Sequence, residues 1–118
     1  MKKIYHLSTC KTCQRVITEL NGGAGFELQD IKTEAITPEQ LSEMYELAGS
    51  YEALFSRRAM KYRSLGLHEM ELGEADYRKY ILEEYTFLKR PVIIIDNAIF
   101  IGSAKKQIQG AKEKAGLA

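Results

Sequence analysis

Both cysteines of the 118-residue chain, Cys10 and Cys13, fall in one short stretch, IYHLSTCKTCQR. They follow an apolar run and open a run with helical spacing. Two residues apart at the start of a helix, they lie one turn from each other on the same side. The unpaired N–H groups at a helix start favour a thiolate over a thiol, and the thiolate is the nucleophile. Cys10 could then attack an oxidised substrate, and Cys13 could displace what it captures by closing a disulfide. Zinc would need two further ligands. The only histidines are His6 and His68 and there is no second cysteine pair, so the spacing does not support a tetrahedral site. The remaining alternative is two small apolar residues packed into a turn.

The elements around this pair read in order. Lys3 to Leu7 is a short strand, and Val16, Ile17 and Leu20 mark a helix from Thr12 to Leu20 that stops at Asn21-Gly22-Gly23. Phe26, Leu28 and Ile31 suggest a second strand with Glu27 and Gln29 pointing outward. This is a β-α-β start, which favours parallel strands. Thr37-Pro38-Glu39-Gln40 is a helix start with a capping box, and Gly49 ends that helix. Ser50 is placed to cap a short helix through Phe55. Glu74 to Tyr85 is a further helix with Tyr77, Tyr80, Ile81 and Tyr85 spaced to pack. Val92 to Ile95 reads as a strand buried on both faces, Asp96-Asn97 as a turn, and Ala98 to Ile101 as its hairpin partner. Ser103 is placed to cap a final helix to about Ala115. The expectation is an α/β fold of one domain over residues 1–118. Its four-stranded mixed sheet, β-α-β then β-β-α, is interrupted by a helical insertion over about 36–86. A CxxC beside such a start points to a thioredoxin-like fold.

Composition narrows the function classes. Hydrophobic residues make up 45% and charged residues 28%, enough for a packed core without staples. A net charge of +1, from 17 basic and 16 acidic residues, gives no electrostatic case for direct nucleic-acid or membrane binding. No apolar run approaches the ~20 residues of a membrane span, and the lysines at the N-terminus precede too short an apolar run for a signal peptide. Two cysteines without an export signal suggest a cytoplasmic chain, where a CxxC is reactive or metal-bound rather than a staple. No bound cofactor or metal is expected.

Four segments together resemble the arsenate reductase / Spx (ArsC-like) family of thioredoxin-fold proteins: IYHLSTCKTCQR, GFELQDIKTEAITPEQL, GSYEALFSRRAMKYRSLGL and FLKRPVIIIDNAIFIGSAKKQI. The resemblance covers nearly the whole chain. It implies that Cys10 is the nucleophile and that Pro91, before the third strand, is cis and faces it. It also implies a substrate-binding set of Arg90, Arg57, Arg58, Pro91, Thr12 and His6, with either Arg57 or Arg58 matching a family arginine. Arginine suits an oxyanion because its planar fork stays charged and pairs bidentately. A solvated basic face is the plain alternative for Arg57 and Arg58, and a strand-end histidine for His6.

The resemblance implies a thiol-dependent oxidoreductase acting on an oxyanion or on a disulfide of the glutathione type. Glutathione or another thiol would be the co-substrate, and a thiol reductant protein the partner. Two departures weigh against arsenate itself. Gln14 stands where the family's reductases carry an arginine, and Gly102-Ser103 stand near another. A second implied reading is an Spx-like redox-sensing regulator that binds RNA polymerase, with Gly49 matching a contact glycine. Gly49 is first of all a helix stop, and the end, GAKEKAGLA, lacks a strongly basic tail. A third is a family member that has lost its activity.

Overall fold

The computed structural model describes residues 1–117. The chain forms two compact units, one from Met1–Ala35 together with the segment from Arg90 onward, the other from Ile36–Lys89.

The first unit is built on four strands: β1 (Lys2–His6), β2 (Glu27–Asp30), β3 (Val92–Ile95) and β4 (Ala98–Ile101), in the order β2-β1-β3-β4. β1 pairs parallel with β2, and antiparallel pairing joins β1 to β3 and β3 to β4. The parallel pair follows from the crossover through α1 (Lys11–Glu19), because a tight turn can join only antiparallel neighbours. The β3–β4 hairpin turns at Asp96, whose φ of 55° an aspartate tolerates better than most residues.

Strand alternation gives the sheet two faces. On one, Ile4, Ile93 and Ile95 meet Val16 and Leu20 of α1 and Ile108 and Ala111 of α5 (Lys105–Lys114) in one buried cluster. Each such aliphatic side chain contributes about 1.5–3 kcal/mol when fully buried. Phe100 packs against the cluster and lies over Gly110 of α5, where a Cβ would come 2.8 Å from the ring's Cε1. The other face carries Lys3, Tyr5, Gln29, Val92 and Ile94, all buried. Lys3 satisfies its charge through Glu27, 2.9 Å from Nζ to Oε2, and the Tyr5 ring 5.0 Å away.

Two local expectations reverse. β2 is phased the other way: Gln29 is buried at 2% exposure and Leu28 is 44% exposed. Gln29 lies in register with buried Tyr5, and its Nε2 donates to the Glu34 carbonyl at 3.1 Å, so this buried amide is satisfied. Leu28, on the edge strand, leans its methyl groups toward Gly23. Ser103 does not cap α5. Ala104 takes the cap position without a side-chain bond, and Gln107 instead accepts the Ile101 N–H on Oε1 at 3.1 Å.

The second unit is helical. α2 (Pro38–Ala48) opens on the expected capping box, with Gln40 N–H to Thr37 Oγ1 at 3.0 Å and Thr37 N–H to Gln40 Oε1 at 3.1 Å. Gly49 closes it in the left-handed region at φ 86°, which glycine adopts without a Cβ penalty. Ser50 Oγ accepts from Ala53 N–H at 3.0 Å and starts a single 3-10 turn. α3 (Met60–Ser64) and α4 (Glu74–Glu83) follow. Phe55 stacks on Phe87 at 5.1 Å and tilts against Tyr77 at 4.9 Å. Leu54 O accepts from Lys89 N–H and Phe87 O from Ser56 N–H, at 2.8 and 2.7 Å. Among the described residues, no helix is long and apolar enough to cross a membrane.

Candidate active site

Cys10 occupies the N-cap position of α1, with extended backbone at φ −90°, ψ 113°. β1 ends at His6, and the turn back is fastened by Cys10 N–H to Leu7 O at 2.9 Å. The helix then begins with Gln14 N–H to Cys10 O at 3.1 Å. Cys10 therefore stands where the first helical N–H groups converge, as the sequence suggests. Cys10 is partly exposed, whereas Cys13, one turn on, is fully buried. Both thiols are free.

The surroundings divide the two sulfurs. Burial pushes the Cys10 thiol up. The Cys13 N–H, the Cys13 thiol, the Thr12 N–H and the Arg90 charge together outweigh that and hold it below its ordinary value. N–H donors and a positive charge stabilise the anion over the neutral thiol. Cys13 is pushed up to about 11, first by burial, then by its hydrogen bond to Cys10 and the negative charge there. The Leu7 N–H and Arg90 act in the opposite sense on it. The surroundings thus shift one sulfur toward the thiolate and the other toward the thiol.

Arg90 reaches both thiols through its charge, and the Arg90–Pro91 peptide is cis. Pro91 is buried, and its carbonyl accepts from Gly102 N–H at 2.9 Å. Thr12 contributes its backbone N–H rather than its exposed side chain. His6 is half-buried at the end of β1. Arg57 and Arg58 lie in the helical unit, where Arg57 Nη2 donates to Glu52 Oε2 at 2.7 Å and to the Tyr77 hydroxyl at 3.0 Å.

Two residues that the candidate set leaves out also act on this loop. Gln14 Nε2 donates to Ser8 O at 2.7 Å. Asp30 Oδ1 accepts from Ser8 N–H at 3.3 Å and from Lys32 N–H at 3.2 Å. An aspartate bonding the N–H two residues on is an Asx turn, and the polar QDIKTE after a strand carries that signal. The bonds to Ser8 leave no such local trace. Among the described residues, no group of three or more His, Cys, Asp or Glu side chains is placed to hold a metal ion.

A β-α-β/β-β-α sheet, with a CxxC at the first helix start and a cis-proline before β3, is a thioredoxin-like fold. The family model described as "ArsC family" matches residues 5–111, and the chain belongs to that family. The match places it among proteins resembling thiol-dependent oxidoreductases. Solved structures agree on the fold. An arsenate reductase from Vibrio cholerae is 17% identical, with a TM-score of 0.79 over 93% of this chain and 96% of that one. An arsenate reductase (ArsC) related protein from Brucella melitensis is 22% identical, with a TM-score of 0.71 over 92% of each chain. A protein from Staphylococcus aureus COL is 24% identical, with a TM-score of 0.76 over the full length of both. No curated protein matches the chain.

Proposed function

We propose that this protein is a thiol–disulfide oxidoreductase whose substrate is a disulfide of the glutathione-adduct type, with Cys10 as nucleophile and Cys13 as resolving thiol. The observation that carries this reading is the division between the two sulfurs. Cys10 is partly accessible and favoured as a thiolate, while Cys13 is buried and holds its proton.

The Cys10 thiolate attacks one sulfur of the substrate disulfide. A Cys10–substrate disulfide forms, the substrate S–S bond breaks, and the other half leaves as a thiolate that takes a proton from water. With Cys10 now neutral and bonded, two influences that raise the Cys13 thiol, the Cys10 charge and the hydrogen bond to it, disappear. Burial still disfavours the Cys13 anion, and the Leu7 N–H and Arg90 remain to favour it. Cys13 then loses its proton and attacks the Cys10 sulfur. The second half of the substrate leaves as a thiol, and Cys10 and Cys13 are joined by a disulfide. The substrate has gained two electrons and the pair has lost two, which an external thiol such as glutathione, or a reductant protein, restores. Arg90 would steady anionic substrate groups.

The same thiolate could attack an oxyanion. The disulfide reading is preferred because Arg57 is already engaged by Glu52 and Tyr77 and Gln14 offers no charge.

Reduction of a mixed glutathione disulfide by the purified chain, with excess glutathione, tests the proposal. Cys10→Ser should abolish turnover. With the mixed disulfide supplied and free glutathione left out, Cys13→Ser should accumulate the Cys10–glutathione adduct, visible by intact mass. Turnover that survives Cys10→Ser would end this reading.

A further inference from the structure

Ser8 and Thr9, which lead into Cys10, are both exposed, so packing does not fix them. Hydrogen bonds must. Both backbone polar groups of Ser8 are taken by side chains from other elements. Its carbonyl accepts from Gln14 Nε2 in α1 at 2.7 Å, and its N–H donates to Asp30 Oδ1 at the end of β2 at 3.3 Å. The Asp30 oxygen also takes the Lys32 N–H at 3.2 Å, so the carboxylate is anchored in its own turn. The Ser8 side chain is the first cause holding the Asp30 carboxyl below its usual range, and His6 on β1 faces it.

We propose that Gln14 and Asp30 are positioning residues that grip Ser8 from two sides and so hold the Cys10 sulfur where the Thr12 and Cys13 N–H groups point. The inference rests on the reading of Cys10 as the attacking thiolate and adds what keeps it one. The stabilising donors act over short distances, and displacements near 1 Å at a reacting centre can cost ~100-fold in rate. The charged and titratable groups that act on Cys10, Cys13 and Arg90, are left in place by altering either clamp residue.

The test is the pH profile of Cys10 alkylation by iodoacetamide in the full chain, with the adduct located by mass spectrometry. Gln14→Ala removes the donor and Asp30→Ala the acceptor. Each should raise the Cys10 pKa enough to slow alkylation about three- to tenfold at a pH below it, since the rate follows thiolate fraction. Asp30→Asn keeps an oxygen at Oδ1 and should stay within about twofold of wild type on the same scale. The direction is diagnostic. Loss of a carboxylate by itself would lower a nearby thiol's pKa, so a rise in Asp30→Ala reports geometry rather than charge. Gln14→Ala repeats the test without any change of charge. Circular dichroism confirms that each variant keeps the fold. A wild-type pKa well below about 8.5, unmoved in both alanine variants, overturns the clamp while leaving the thiolate reading intact. A wild-type pKa at or above that value sinks the thiolate reading, and the clamp falls with it.

Discussion

At the scale of single residues, the surroundings make two chemically identical side chains unlike. Cys13 is the group whose environment should show most plainly in stability. Its folded pKa is about 11, above the ordinary thiol value, with burial as the main cause. Below the unfolded pKa both states hold the proton, and the contribution is fully present. As pH rises toward the folded value the unfolded chain releases the proton first, so stability falls across roughly pH 9–11. At ~1.4 kcal/mol per unit this amounts to about 2–3 kcal/mol. Urea midpoints measured at pH 8 and pH 10.5 should therefore converge more in Cys13→Ala than in wild type. An equal alkaline loss in both proteins would show that Cys13 is not the group responsible. Cys10, shifted downward, works in the other direction: its contribution is present above the unfolded thiol pKa and fades as pH falls through the folded one.

At the scale of elements, one contact fixes how α5 meets the sheet. Gly110 sits inside that helix, where alanine would ordinarily gain about 1 kcal/mol. Here an alanine Cβ would meet the Phe100 ring at 2.8 and 3.2 Å, the first closer than a Cβ approaches a neighbour and the second tight. Overpacking of this kind costs ~1–3 kcal/mol. Gly110→Ala should lower the urea midpoint, with a net loss of about 1 kcal/mol and an unchanged m-value. A gain in stability would mean that the ring moves aside freely. Elements of this kind were largely legible. The capping box at Thr37, the stop at Gly49 and the apolar run Val92–Ile95 each carry a local physical cause that travels with the sequence. The phase of β2 was not legible. Leu28 and Gln29 trade places because a buried amide can be satisfied by the Glu34 carbonyl, a bond that alternation of apolar residues does not encode. Ser103 misled for a similar reason: the cap of α5 falls one residue later, on Ala104, and Gln107 bonds the β4 backbone instead.

At the scale of the whole molecule, the chain leaves its sheet unit after Ala35 and returns at Arg90. Within the helical unit, the segment around Phe55 is stitched to the one around Leu88 by an antiparallel bridge made of two backbone hydrogen bonds. Phe55 is fully buried at that seam among Tyr62, Tyr77 and Phe87. Phe55→Ala should cost ~3–5 kcal/mol, the usual range for truncating a buried aromatic, read as a drop in denaturation midpoint. A loss under about 1 kcal/mol would show that the cluster collapses to fill the space. The sequence by itself determined the order of elements, the family and the placing of Cys10 at a helix start. The order of elements and the helix start follow from local periodicity, capping chemistry and the spacing of two cysteines, whereas the family follows from the resemblance of four segments along the chain. Tertiary structure alone decided that Cys13 is buried while Cys10 is accessible, that Arg90 acts on both sulfurs, and that Gln14 and Asp30 reach Ser8. Desolvation, charge and hydrogen bonds between distant segments depend on distances that exist only once the sheet has brought β1, β2 and β3 side by side.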